Sequence, residues 1–124
     1  MIEYTVKVYE DGTKYWYLND KLHREDGPAI ELVNGSKFWY LNAKLHREDG
    51  PAIECANGDK GWYLNAKLHR EDGPAIEYAN GGKYWCLNGK HLTQEEHRAR
   101  MSPAKELTVA EVEKLLGHRV KIVK

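Results

Sequence analysis

The stretch Lys21-Leu22-His23-Arg24-Glu25-Asp26-Gly27-Pro28-Ala29-Ile30-Glu31 occurs again, letter for letter, at 44–54 and at 67–77. A Leu-Asn pair keeps the same step, beginning at Leu18, Leu41, Leu64 and Leu87. Three copies spaced by 23 residues define an internal repeat, the signature of an array in which each unit needs its neighbours to bury its apolar surface. Full units cover 12–34, 35–57 and 58–80; a fourth opens at 81 and leaves the pattern after Lys90. Residues 2–11 stand where a preceding half-unit would lie. The chain therefore divides into a repeat array over 1–91 and a C-terminal cap over 92–124.

Each unit is punctuated as β-structure. Asp11-Gly12, Asn34-Gly35, Asn57-Gly58 and Asn80-Gly81 are pairs favoured in two-residue hairpin turns, where both residues take positive φ. An aromatic run follows each, such as Tyr15-Trp16-Tyr17 and Phe38-Trp39-Tyr40, and such residues suit a pleated strand. A second turn falls at Asn19-Asp20, and a third at Asp26-Gly27-Pro28, where the proline marks a strand end. A two-residue loop at Asn34-Gly35 sets Ile30 opposite Trp39 and Glu31 opposite Phe38. Alternation then places Trp39, Leu41, Ile30 and Leu32 on a core-facing side, with Phe38, Tyr40, Glu31 and Ala29 on the other.

Past Lys90 the grammar is helical. Thr93-Gln94-Glu95-Glu96 and Thr108-Val109-Ala110-Glu111 both have capping-box spacing, with a break at Ser102-Pro103 between them. The second helix would bury Val109, Val112, Leu115 and Leu116 and end near Gly117. Residues 119–123 alternate like a closing strand.

Composition narrows the function. The 124 residues carry 19 basic and 19 acidic side chains, so there is no basic excess to grip nucleic acid and no acidic excess to imitate it. An apolar share of 41% with 31% charged residues fits a folded chain. Cys55 and Cys86 are too few for a disulfide framework, which points to a reducing cytosol. No apolar run reaches the roughly 20 residues of a membrane helix, and Met1-Ile2-Glu3-Tyr4 does not read as a signal peptide. In the tail, Arg98, Arg100, Lys105, Arg119, Lys121 and Lys124 read as a solvated helix surface rather than a binding patch.

The repeated His-Arg-Glu-Asp invites an acid–base reading of His23, His46 and His69 with Glu25, Glu48 and Glu71. An enzyme, however, needs one asymmetric pocket, whereas this motif is copied along the array. A charge ladder fits better, with Arg24, Arg47 and Arg70 pairing Asp26, Asp49 and Asp72. The histidines follow no metal-ligand spacing, so no catalytic residue, metal or cofactor is expected. The candidate binding residues are Tyr15, Tyr17, Phe38, Tyr40, Tyr63 and Tyr84, read as one amphipathic face bordered by Glu31, Glu54 and Glu77. Arg24, Arg47 and Arg70 join them as possible phosphate ligands if ion pairs leave them free.

In outline, the aromatic strand, the Asn-Gly-type turn and the 23-residue period resemble MORN repeats, which form single-layer antiparallel β-meanders and bind proteins or lipids. The typical glycine-rich strand of that family is replaced here by Leu-His-Arg-Glu-Asp-Gly-Pro-Ala. More specifically, the unit from the Trp-Tyr-Leu-Asn run to the Ala-Ile-Glu run resembles tandem repeats of tailed-bacteriophage proteins. Residues 107–117 resemble a C-terminal segment recurring in phage proteins. These likenesses cover about 12–117 and carry no catalytic residues to transfer.

The expected fold is mainly β: a single-layer antiparallel β-meander of tandem hairpin repeats with a small C-terminal α cap and a short strand. The resemblance implies a phage protein in the cytoplasm of an infected bacterium. The leading expectation is a non-enzymatic protein whose repeat surface binds and inhibits a bacterial host protein, such as an anti-phage defence component. Alternatives are a sponge for a nucleotide-type small molecule and a structural, virion-associated protein. Homo-oligomers through the edge at 2–9 or the strand at 119–123 are a further option.

Overall fold

Two kinds of turn alternate along the chain, and they fix the register of everything between them. In this computed structural model, which describes residues 3–102 and residue 110, Asn19 and Asp20 have φ of 51° and 62°. Both are left-handed, the two-residue geometry that suits right-twisted strands, and Leu18 pairs with Lys21 across them. Asn42-Ala43, Asn65-Ala66 and Asn88-Gly89 repeat this turn. The Asn-Gly turns differ. Leu32 N–H donates to the Ser36 carbonyl at 2.9 Å, Gly35 N–H donates to the Leu32 carbonyl at 3.0 Å, and of the loop residues 33–35 only Gly35 is left-handed, with φ 95°. Asn34 Oδ1 accepts the Ser36 N–H at 2.9 Å. This is a three-residue loop closed by a glycine bulge.

That extra loop residue corrects the expected register. Ile30 pairs with Phe38, not with Trp39, and Glu31 pairs with Lys37. A slip of one residue turns the whole 29–32 segment over. The apolar set expected on one side is thereby divided: Ile30 and Leu32 share a face with Phe38 and Tyr40, while Ala29 and Glu31 share one with Trp39 and Leu41.

The strands are short. They are β1 (Thr5–Val8), β2 (Lys14–Leu18), β3 (Lys21–Leu22), β4 (Ile30–Glu31), β5 (Lys37–Phe38), β6 (Tyr40–Leu41), β7 (Lys44–Leu45) and β8 (Ile53–Glu54). They continue with β9 (Lys60–Gly61), β10 (Tyr63–Leu64), β11 (Lys67–Leu68), β12 (Ile76–Glu77), β13 (Lys83–Leu87) and β14 (Lys90–Leu92), followed by α1 (Gln94–Met101). Among the described residues all pairing is antiparallel. A ten-stranded open sheet runs β1-β2-β4-β5-β8-β9-β12-β13-β14, with β3 beside β2, and β6–β7 and β10–β11 form two further hairpins.

The backbone shows why the sheet reads as a meander of two strands per unit. Trp16 donates its N–H to the Ala29 carbonyl at 2.7 Å and accepts the His23 N–H at 3.1 Å. Both bonds leave the same side of Trp16, so 21–24 and 29–32 form one interrupted strand, Arg24 N–H still reaching the Tyr40 carbonyl at 3.1 Å, and residues 25–28 leave the sheet between its halves as a loop. Trp39 repeats this with Ala52 and His46, and Trp62 with Ala75 and His69. The next unit docks on the far side through Ala29 N–H to the Phe38 carbonyl at 2.8 Å and Ala43 N–H to the Leu22 carbonyl at 2.8 Å. Each repeat histidine adds a link between units. His23, His46 and His69 accept the N–H of Asn42, Asn65 and Asn88 on Nδ1, each at 2.9 Å. The neutral ring therefore carries its proton on Nε2.

Among the described residues nothing forms a second layer over the sheet. The fully covered apolar side chains are Ala29, Ala52, Ala75, Cys86 and Leu92, while the large aromatics remain half-buried. The capping box opens α1 as the sequence indicates: Thr93 N–H donates to Glu96 Oε1 at 3.0 Å, and Glu96 N–H donates to the Thr93 hydroxyl at 3.1 Å. The second helix and the closing strand expected over 108–117 and 119–123 lie outside the described residues, as does all but Ala110 of the cap beyond Ser102.

Two measurements check this account. Ala43 and Ala66 hold φ of 65° and 66°, where a Cβ is strained. Ala43→Gly should therefore stabilise the array by about 0.5–1 kcal/mol in thermal melts, whereas Gly35→Ala should destabilise it by roughly 1–2 kcal/mol. The second concerns Glu96, whose carboxyl is held below its usual range first by the Thr93 N–H, then by the Thr93 side chain and the charges of Lys90 and Arg100. Its support for α1 is complete above the unfolded-state value and is lost as pH falls through the lower folded-state value. Amide exchange at the start of α1 should accelerate over that acid window, and Glu96→Gln should abolish the pH dependence.

Candidate functional site

Cross-strand pairing sorts the candidate residues between two faces. One row across the sheet reads Tyr15, Ile30, Phe38, Ile53, Gly61, Ile76, Tyr84. Beside it run the pairs Tyr17–Leu22, Tyr40–Leu45, Tyr63–Leu68 and Cys86–His91. Tyr15, Tyr17, Phe38, Tyr40, Tyr63 and Tyr84 thus share one face, as the alternation of the strands requires. Its borders are corrected: the register brings in isoleucines and leucines, and Glu31, Glu54 and Glu77 lie on the opposite face. The six aromatics are half-buried. Tyr9 meets Tyr15 edge-on at 5.7 Å, Lys7 Nζ lies 5.2 Å from the Tyr17 ring centroid, and His91 stacks on Tyr84 at 4.2 Å.

Gly61 interrupts the aromatic row where Phe38 stands one unit earlier. A Cβ there would lie 3.2 Å from Cε1 of Tyr63, so the tyrosine ring folds onto the bare backbone. Burial, with the neighbouring Cys86, Tyr78 and Tyr40, pushes the Tyr63 hydroxyl above its usual range. Cys86 itself is buried and its thiol is raised by that burial.

The opposite face is charged. Its outer row alternates in sign, Lys14–Glu31–Lys37–Glu54–Lys60–Glu77–Lys83, so every charge faces its opposite. Arg24, Arg47 and Arg70 lie here, away from the tyrosines. The Arg24 guanidinium sits 3.8 Å from the Trp16 ring centroid, donates from Nε to Asp26 at 3.0 Å and from Nη1 to the Pro28 carbonyl at 3.2 Å, and stands 3.8 Å from Glu31. Arg47 on Trp39 and Arg70 on Trp62 repeat the arrangement. Gly27 makes it possible, since a Cβ there would come within 2.9 Å of the Arg24 Cζ. The sequence pattern suggested the Arg–Asp pairs but gave no sign of the tryptophan beneath.

His23, His46 and His69 lie on this face too, with Nε2 at 3.5, 3.6 and 3.9 Å from Glu25, Glu48 and Glu71. These separations are long for hydrogen bonds. Nε2 of His23 and Nε1 of Trp16 are buried with no acceptor among the described residues, near Tyr4, whose ring lies 5.7 Å from Trp16 and 6.4 Å from His23. At the other end no arginine among the described residues stacks on Trp85. His97 of α1 takes that place, 4.8 Å from the Trp85 ring and bonded through Nε2 to the Arg70 carbonyl at 2.6 Å.

Clefts of about 650 and 600 Å³ separate successive loops, the first lined by Glu25, Asp26, Glu48 and Asp49 around Trp39. Their arginines are already matched by carboxylates and carbonyls, so they are not free to converge on a phosphate. Among the described residues no three His, Cys, Asp or Glu side chains converge on a metal position, and no helix is long and apolar enough to cross a membrane. No family model matches the chain, and no curated protein or solved structure is significantly similar to it.

Replacing Arg47 by Lys keeps the charge but loses the planar fork and the ring stacking. Arg47→Lys should destabilise the array by about 1–2 kcal/mol in thermal or urea unfolding, with altered tryptophan fluorescence as Trp39 is uncovered. Asp49→Asn, which spares the stack, should cost less.

Proposed function

We propose that this chain is a non-enzymatic binding protein that docks a protein partner on its aromatic sheet face. The reading rests on one observation: six aromatic side chains share a face with a row of isoleucines and leucines, and no layer of the described residues packs over them. Large, rigid aromatic side chains beside aliphatic ones make favourable interface anchors, because they bury much area at little conformational cost. On the other face Arg24, Arg47 and Arg70 are already held by carboxylates, carbonyls and tryptophan rings, whereas nothing among the described residues forms a layer over the aromatic one.

On the resemblance to phage repeat units, the partner is a bacterial host protein, and the consequence of binding is inhibition, as for a component of anti-phage defence. Sequestration of a nucleotide-type ligand has less support, since Arg24, Arg47 and Arg70 are committed to Trp16, Trp39 and Trp62 and to their carboxylates.

The tagged chain should retain one stoichiometric bacterial protein from host lysate. A Phe38→Lys/Tyr40→Lys variant should lose it by at least about tenfold, the scale of losing anchoring side chains. Glu25→Lys, on the opposite face, should retain it, and melting curves should show all three chains folded. Retention by the Phe38→Lys/Tyr40→Lys variant would move the interface off this face.

A further inference from the structure

We infer that the outer edge of β1 is an interface between two copies of this chain, joined by antiparallel pairing of residues 4–8 about a two-fold axis at Val6. The inference concerns the sheet edge and stands whether or not the aromatic face docks a partner.

The backbone supplies the first reason. In an antiparallel ladder, residues alternate between pairs that exchange hydrogen bonds and pairs that do not. Tyr9 N–H donates to the Thr13 carbonyl at 2.9 Å, so Lys7 with Tyr15 and Thr5 with Tyr17 are the bonded pairs that follow in step. Val6 faces Trp16, which gives its N–H to Ala29 and its carbonyl to His23. Val6 and Val8 therefore direct their own N–H and C=O groups away from the sheet. Among the described residues no strand lies beyond β1, and all four of its residues are exposed, Val8 at 63%. Such a row of unpaired groups beside exposed valines is a template for another strand.

The second reason is self-complementarity. An axis at Val6 pairs the complete segment 4–8 with itself. It sets Val6 against its own copy, Val8 against Tyr4, and Thr5 against Lys7, while Glu3 comes diagonal to Lys7. Tyr4, Val6 and Val8 share the face of Trp16, so the join extends an apolar row from one Trp16 to the other. An axis at Lys7 would instead oppose two lysines, which is unfavourable. Lys7 does not guard this edge as lysines commonly do, because its side chain is turned onto Tyr17. The far end of the sheet is different: α1 packs on β13 and β14, which favours a closed pair over an open fibre.

Sedimentation velocity and light scattering on the full chain, from about 5 to about 500 µM, test this, since a short strand pair gives a concentration-dependent dimer. The mass should rise from 14.3 kDa towards twice that value. Val6→Pro removes an outward N–H and no bond of the β1–β2 ladder, and should weaken the dimer by at least about tenfold with an unchanged melting curve. Val6→Lys, which sets like charges against each other across the axis, should do the same, while host-protein capture by the aromatic face persists in both variants. A wild-type chain monomeric throughout overturns the inference, as does a dimer indifferent to both substitutions. A heterologous strand captured at this edge without self-association overturns it too.

Discussion

A guanidinium placed over an indole ring is the contact on which each repeat depends. Backbone bonds from Arg24 N–H to the Tyr40 carbonyl and from Ala29 N–H to the Phe38 carbonyl hold the two ends of the 24–28 segment, and the side chain fastens what lies between them. Arg24 ties the loop to Trp16 below, to Asp26 and the Pro28 carbonyl within the loop, and towards Glu31 beside it. The loop is then pinned at its base, and the strand it interrupts can resume at Ala29 in register. Fully buried Ala29, Ala52 and Ala75 mark where the strand restarts, and only a small side chain is found there. With no second layer among the described residues, the sheet has little conventional core there, and its stability draws on repetition of this clamp and on the bonds between neighbouring units.

The histidine links show the same economy. A ring nitrogen of one unit accepts a backbone N–H of the next, 19 residues on, at the turn where that unit reverses direction. The link requires an unprotonated Nδ1, and Glu25, Glu48 and Glu71 stand beside the opposite nitrogen. At the two ends of the described array, further aromatic side chains lie against these rings. Tyr4 covers Trp16 and His23 at the first unit, and His97 covers Trp85 at the last.

Much of this was legible in the sequence, and the part that was not has a physical cause. The period, the aromatic strands, the Thr93 cap and the common face of the tyrosines all follow from spacing. Expectation and structure part at one turn. Asn34-Gly35 has the composition of a two-residue loop, but the pair that adopts both positive φ values is Asn19-Asp20, where the sequence advertises it less. An Asn-Gly pair serves a three-residue loop equally well, because the bulge also needs a left-handed glycine. The error of one residue moved the isoleucines and glutamates to the wrong faces, and so altered the chemistry attributed to the aromatic surface. The Arg–Trp stack was hidden for another reason: it depends on a loop folding back over a strand, which neither periodicity nor composition encodes.

The interrupted strand also makes the molecule modular in length. Each 23-residue unit adds two strands, roughly 10 Å of sheet at the usual strand spacing, and meets only the units on either side. Near-identical units at 12–34, 35–57 and 58–80 are suited to unequal recombination, in which one is gained or lost whole. Such an event would leave Tyr4 and α1 at their posts and change only the reach of the aromatic face between them. The repeat number would then act as a ruler that sets the length of this surface.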